Sequence, residues 1–480
     1  MSGQPEYGNR DVSVPPDGGT NRGGEAHEHG GTPATASGRL RWQWAEPAVW
    51  TNRMLMALER GVQGGKWFSL IDKVYNPDNL RSSFTKVKAN QGKAGVDHVT
   101  VDDFANRLEK NLRRLVRALR DGTYRPQAVR RAYISKPGSK EKRPLGIPTV
   151  RDRVAQGAIR HVLEPIFERD FAEHSYGFRP GRGCKDALRR VDALLRQGYT
   201  WIVDADIKSY FDTIPHDRLM TRIEEKIADG RVLALIEAFL HQGILEGLDQ
   251  WTPEEGTPQG AVLSPLLANL YLDPFDHYMA GLGFEMIRYA DDFVILCQNE
   301  PDARRALDLA TRWMTENGLR LHPEKTRIVD AREPGGGFDF LGYHFQYVIR
   351  RNRRSGQRAW NWMRKPRKKS LEKFKDAIRR KTRRNNGNSL ETIIRSVNYT
   401  ARGWYEYFKH SIVNELETLD KWLRMRLRSI LRKRHKGKGH GYGLSHKRWP
   451  NAFFTEQGLF TMATAQRTAY AAYLSAHQSS

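Results

Sequence analysis

Two adjacent aspartates set between two apolar runs constrain this chain more than any other feature. Arg288-Tyr289-Ala290-Asp291-Asp292-Phe293-Val294 joins a mixed apolar run, 284–287, to a continuous one, 293–297. Runs of that length bounded by a turn read as strands, which predicts a hairpin with Ala290 and Asp291 near its bend. Neighbouring carboxylates repel, and holding them together is costly unless a cation neutralises them. Hard oxygen donors suit Mg²⁺, which keeps water and substrate phosphate in its remaining positions. Aspartate is also common in solvated turns, so the pair acquires chemical meaning only beside a third carboxylate.

That third group is found upstream. Residues 199–207 read Tyr-Thr-Trp-Ile-Val-Asp-Ala-Asp-Ile, a strand with an acidic end. Asp204 and Asp206 are two apart and so share one face of it. Beside the Asp291-Asp292 hairpin, Asp206 would complete a three-carboxylate cage. Asp204 is either a fourth acidic neighbour or a structural group. Two Mg²⁺ ions in such a cage can activate an attacking hydroxyl and stabilise a leaving pyrophosphate. Between the acidic elements, Gly256-Thr257-Pro258-Gln259-Gly260-Ala261-Val262-Leu263-Ser264-Pro265 runs into an apolar helix over 266–272. It is either an ordinary helix N-terminus or a small-residue surface on which a base pair can lie flat.

Charge points to the partner. The 480 residues carry 80 Lys+Arg against 55 Asp+Glu, a net +25. Residues 350–440 alone hold 29 Lys/Arg and 7 Asp/Glu. A basic block interleaved with Trp and Tyr favours nucleic acid through phosphate neutralisation and counterion release, over a merely solvated face. Apolar content of 39% and 12 Trp indicate a folded protein of several domains. No run of about 18 apolar residues is present, so no membrane partner is expected. Two cysteines, Cys184 and Cys297, cannot build a disulfide framework or a Cys-rich zinc site. Together these features place the chain inside the cell.

Residues 1–40 lack apolar periodicity and are predicted to be disordered. Phe104, Leu108, Leu112, Leu115 and Leu119 predict one helix over 102–119. Residues 129–135 read as a strand leading into a basic hairpin with Pro137, Gly138 and Ser139 at its tip. A helix follows over 154–167, interrupted near Pro165. The loop Ser175-Tyr176-Gly177-Phe178-Arg179-Pro180-Gly181-Arg182-Gly183 can bring amides and guanidinium groups to a nucleic-acid backbone, or can serve as a tight connection to a helix over 185–195. Basic helices are predicted over 371–384, 391–408 and 419–431. Trp404, Tyr407 and Phe408 fall at core-like helical spacing, and 437–443 reads as a flexible connection.

The ordered series Asp206-Ile207-Lys208-Ser209-Tyr210-Phe211-Asp212, Thr257-Pro258-Gln259-Gly260 with Ser264-Pro265-Leu266-Leu267-Ala268-Asn269, and Tyr289-Ala290-Asp291-Asp292 resembles a reverse transcriptase palm. Four further stretches resemble the group II intron-encoded branch. They are Lys142-Arg143-Pro144-Leu145-Gly146-Ile147-Pro148, Tyr176-Gly177-Phe178-Arg179-Pro180-Gly181, Gly318-Leu319 with His322-Pro323-Glu324-Lys325-Thr326, and Phe338-Asp339-Phe340-Leu341-Gly342-Tyr343. The resemblance implies an α+β right-hand polymerase, with helical and β-hairpin fingers, an antiparallel-sheet palm and a helical thumb, joined to a helical basic maturase region. The implied limits are fingers 41–200, palm 201–348, thumb and maturase 349–460, and a short tail 461–480 with no endonuclease domain.

Residue by residue, the resemblance makes Asp206, Asp291 and Asp292 the ligands of two Mg²⁺ ions, with the Ile207 carbonyl beside them. Lys136 and Arg143 would clamp the incoming triphosphate. Phe211 would sit beneath the sugar and exclude a 2′-hydroxyl, and Gln259 would lie near the template base and nucleotide. Lys325 would stand near the leaving pyrophosphate as a general acid. Tyr176, Arg179, Arg182, Arg402, Lys433 and Arg434 would contact RNA or template. The implied partners are group II intron RNA, an RNA template and DNA primer, dNTPs and target DNA, in a bacterial cytoplasm and at the nucleoid when acting on DNA. Competing readings are a retron or CRISPR-associated reverse transcriptase and a non-catalytic RNA-binding splicing factor.

Overall fold

Capping side chains set the helix boundaries in the N-terminal third. The computed structural model describes residues 41–135, 142–246, 249–333, 335–351, 358–439 and 443–478. The segment 1–40, the hairpin tip 137–139 with Lys136, and residues 440–442 of the expected connection lie outside them. Thr51 caps α1 (Asn52–Arg60). The N–H groups of Leu70 and Ile71, at the start of α2 (Ile71–Val74), both donate to Asp229 Oδ2 at 2.8 Å. Asn76 Oδ1 accepts from Asp78 N at 2.9 Å to start α3 (Pro77–Asn90), whose Pro77 fits the first turn.

The helix predicted over 102–119 is two helices. A Thr100/Asp103 capping box opens α4 (Val101–Asn106), and α5 (Leu108–Arg120) restarts after Arg107, whose φ −126°, ψ 32° is not helical. The break lets Phe104 stack on Phe84 at 5.3 Å while Leu112, Leu115 and Leu119 enter the core behind.

The expected interruption at Pro165 does not occur. Helix α6 (Val150–Glu168) runs through it. A proline cannot donate to the carbonyl four residues back, here that of His161. The Trp50 indole N–H takes the vacancy, donating to that oxygen at 2.8 Å. Buried along nearly its whole length, α6 forms the axis of the largest apolar cluster.

Strand β1 (Val129–Ser135) pairs antiparallel with β2 (Lys142–Ile147), placing Ile134 opposite Arg143. It also pairs in parallel with β4 (Ile244–Glu246), which pairs with β5 (Asp249–Trp251). This sheet therefore draws residues from both sides of the limit expected at 200. Helix α7 (Cys184–Arg196) leads into β3 (Trp201–Asp206). Next come α8 (His216–Glu224), α9 (Gly230–Leu240) and α10 (Ser264–Gly281).

Strands β6 (Glu285–Tyr289), β7 (Asp292–Cys297), β3 and β8 (Arg327–Asp330) form an antiparallel sheet in the order β6–β7–β3–β8. Its two faces are covered differently. Val203, Ala205, Phe293 and Ile295 enter the main core with α10 and α11 (Glu300–Glu316). Ile202, Ile287, Val294 and Leu296 meet α7 and the strand β9 (Phe338–Phe340). Strand β10 (Tyr343–Arg351) pairs with β9 and with β11 (Arg358–Pro366), so it runs across the expected limit at 348.

Helices α12 (Lys368–Lys381), α13 (Leu390–Phe408) and α14 (Val413–Arg434) build a second apolar cluster with Trp449, Phe454 and Leu459. Trp404 packs on Phe374 and Phe408 at 4.7 and 4.6 Å, and Phe408 on Tyr343 at 4.9 Å, so these rings are core as predicted. The expected tail 461–480 is instead largely helix, α15 (Met462–Gln478). Asp420 on α14 receives the N–H groups of Met462 and Ala463 at 3.1 and 2.9 Å, satisfying donors that a helix start leaves open. Among the described residues no helix is long and apolar enough to cross a membrane.

Candidate active site

Ala290 and Asp291 form the turn between β6 and β7, closed by Tyr289 opposite Asp292. Ala290 takes φ 61°, the positive value that a two-residue hairpin turn needs at its first central position. Asp292 thereby becomes the first residue of β7. It lies directly across the ladder from Asp206, the last residue of β3. Opposed residues share a face with Cβ atoms about 4.5–5.5 Å apart. Register alone thus sets two acids side by side, with Asp291 in the adjoining turn. Asp204 lies two pairs further in, opposite Val294 and Arg327. Arg327 Nε is 3.3 Å from its Oδ2, which ties Asp204 to β8.

The neighbourhood is electrostatically strained. Burial pushes the Asp292 carboxyl up to about 7, helped by repulsion from Asp204, Asp291 and Asp206 and opposed by Arg367. Burial likewise pushes Asp204 up to about 6, against the pull of Arg327. Lys325 Nζ reaches Asp206 Oδ2 at 2.6 Å. Among the described residues no three His, Cys, Asp or Glu side chains converge as a ligand set. Repelling carboxylates have no reason to close on one another without a counter-charge, and Lys325 already occupies one of them. The donor set still suits a hard cation, because added positive charge would relieve the repulsion that raises Asp292. Around Ile207 the bridging hydrogen bonds run from Lys208 N to Arg320 O and from His322 N to Asp206 O, so the bridge does not use the Ile207 carbonyl.

A buried arginine holds the turn. Arg288 Nε and Nη2 grip both oxygens of Asp276 on α10 at 2.7 and 2.5 Å. Its Nη1 donates to the Ala290 carbonyl at 2.9 Å and to Asn269 Oδ1 at 3.1 Å, and Nη2 to Ser175 Oγ at 2.8 Å. Burial alone would lower the guanidinium pKa, but Asp276 outweighs it and the net shift is upward. Gly177 presses on the same turn: a Cβ there would lie 2.4 Å from Ala290 N. Asn269 Nδ2 anchors the Gly177 carbonyl at 2.7 Å. Sequence reasoning assigned no role to Arg288, Asp276 or Asn269. A usable signal existed, since charged residues inside apolar strand and helix runs must find partners.

Five residues after Asp206, Phe211 is half-buried and its carbonyl accepts from Thr257 N at 2.6 Å. Gln259 Nε2 donates to Asp212 Oδ2 at 3.0 Å, and Gly146 N to the Gln259 carbonyl at 2.7 Å. Strand β2, which carries Arg143, is therefore seated on the 256–260 loop.

The family Reverse transcriptase (RNA-dependent DNA polymerase) matches residues 134–345, which include all of these acids. The family Group II intron, maturase-specific domain matches residues 371–449, the basic helices that follow. The chain belongs to the group II intron-encoded reverse transcriptase/maturase family. Group II intron-encoded protein LtrA of Lactococcus lactis subsp. cremoris is 41% identical over 44% of this chain and 35% of its own length. The match thus spans about a third of that relative. Protein YkfC of Escherichia coli (strain K12) is 35% identical over 55% of this chain and 77% of its own. A partial Cas6-RT-Cas1–Cas2 complex is 27% identical over 52% of this chain and 41% of that chain, with a TM-score of 0.34, too low to carry a structural argument.

In this intron-encoded family member, the residues expected to touch RNA divide into two groups. Arg179 faces inward: it pairs with Glu168 at 2.8 Å, donates to the Ser175 carbonyl at 2.8 Å, and is 6% exposed. Tyr176 is buried, its N–H donating to Arg288 O at 2.9 Å. Arg182 is half-buried, donates to the Glu173 carbonyl and lies over Tyr176. These three brace the loop against the aspartate turn through the contacts just given. Arg402, Lys433 and Arg434 are exposed on α13 and α14. Arg402 lies over Phe460 at 4.5 Å, Arg434 donates to the Asn388 carbonyl, and Lys433 lines a concavity with Arg384 and Lys438.

Proposed function

We propose that this chain is an RNA-directed DNA polymerase that copies intron RNA into cDNA and aids the splicing and mobility of its own group II intron. The observation that carries this reading is the pairing of Asp206 with Asp292 beside the Asp291 turn, inside the matched family region. Asp206, Asp291, Asp292 and the Ile207 carbonyl would hold two Mg²⁺ ions. When bound, such ions activate an attacking hydroxyl and stabilise a leaving pyrophosphate.

The chain's own groups supply the rest. Lys325, already beside Asp206, would protonate the departing pyrophosphate. Phe211 excludes the ribose 2′-hydroxyl, Gln259 supports the nascent pair, and Lys136 with Arg143 grips the triphosphate. Residues 41–200 act as fingers, 201–348 as palm and 349–460 as thumb and maturase surface, with the fingers sheet completed by 244–251. Arg402, Lys433 and Arg434 lie on a basic helical face suited to folded RNA, which is recognised through shape, phosphates and 2′-hydroxyls. Target DNA and a DNA primer are the further partners of this reading.

Asp291→Ala should abolish primer extension on an RNA template while leaving RNA affinity and splicing at low Mg²⁺ largely intact. Extension that persists in the variant refutes the assignment. A wild-type chain that splices but never extends a primer is a splicing factor alone.

A further inference from the structure

Phe178 stands in a conformation that a bulky residue rarely adopts. Its φ is 60°, in the left-handed region, where Cβ crowds the following carbonyl. The neighbours impose it. On one side Gly177 is locked between Ala290 and Asn269. On the other, Arg179 is pinned by Glu168 and by the Ala172 and Ser175 carbonyls. With both flanks fixed, the Phe178 ring projects outward and is 43% exposed. It meets Phe211 there edge-on, with centroids 6.5 Å apart and planes at 76°. Tyr210 also meets the Phe211 ring edge-on, with centroids 5.6 Å apart. The Phe211 backbone is held by its bond from Thr257 N, so the remaining freedom of this ring is rotation of its side chain, and Phe178 limits it.

We propose that Phe178 is a positioning residue for sugar selection: it holds the Phe211 ring where that ring excludes a 2′-hydroxyl, so the pair admits deoxynucleotides and rejects ribonucleotides. The proposal rests on the polymerase reading above. A wall that discriminates one hydroxyl must not swing, and an edge-to-face contact restricts a half-buried ring without filling the space the sugar needs. The strained backbone fits such a role, since unfavourable φ values persist where the surroundings over-determine them.

The test measures kcat/KM for a dNTP and its matching rNTP in primer extension by the full chain. Phe178→Ala should lower the dNTP/rNTP ratio by about tenfold, the scale of one aromatic contact. Phe178→Tyr, which keeps the ring edge, should keep the wild-type ratio. Phe178→Ala/Phe211→Ala should match Phe211→Ala alone, because the first residue acts only through the second. A Phe178→Ala ratio equal to wild type, while Phe211→Ala alters it, overturns the proposal and leaves the polymerase reading standing. Equal losses for both nucleotides would mean that Phe178 merely braces the loop, which also overturns it. No extension by the wild-type chain overturns both readings.

Discussion

Replacing Arg288 separates the stability of the protein from the placement of its aspartate turn. Arg288 and Asp276 are each 1% exposed at the side chain, and the arginine spans α10, the 175–183 loop and the Ala290 carbonyl. Arg288→Met keeps the length but leaves the Asp276 charge buried and unpaired. Breaking such a pair costs about 3–5 kcal/mol. Arg288→Met/Asp276→Leu removes the stranded charge as well, so most of that loss should be recovered. It does not restore the donor to Ala290 O. A turn displaced by about 1 Å costs on the order of 10²-fold in rate, or about 2.7 kcal/mol of barrier. Urea denaturation and single-nucleotide primer extension should therefore part company. The single variant should be both unstable and inactive, and the double variant stable but roughly 10²-fold slower. A double variant that folds well and extends at the wild-type rate would refute the claim that Arg288 positions the turn.

Two other perturbations test the same frame. Gly177→Ala drives a methyl into Ala290 N, and overpacking of this kind costs about 1–3 kcal/mol. Primer extension should fall with RNA affinity intact, and unchanged extension would show that the turn does not depend on this contact. His161 is held neutral between Asn79 Oδ1 and Lys86 Nζ, each at 2.7 Å, and burial, then Lys86 and Arg160, push its pKa down to about 3. The unfolded chain protonates it first, so its contribution to stability is present above about pH 6.5 and is lost as pH falls toward 3. At pH 5 the loss should be about 2 kcal/mol relative to pH 7. His161→Gln should flatten that dependence, and parallel urea midpoints for both proteins at the two pH values would sink the assignment.

The active-site strands were legible because their information is local. Apolar runs on either side of Ala290-Asp291 define two strands and a turn, and alternation along 201–206 places both acids of β3 on one face. Broken rules within a helix were less legible. Pro165 reads as an interruption until Trp50, remote in the chain, supplies the missing donor. The spacing of 104–119 reads as one helix until Phe84 draws Phe104 away from its phase.

From the sequence alone came the acidic turn, the acidic strand end, the basic helical block and the family pattern that joins them. Tertiary structure alone decided that Asp206 faces Asp292, that Lys325 reaches Asp206, that Arg288 holds the turn, and that Arg179 and Tyr176 turn inward. Strand periodicity specifies a face but neither the partner strand nor its register. Whether a charged side chain is buried depends on counter-charges and carbonyls supplied by distant segments, and those meet only once the chain has folded.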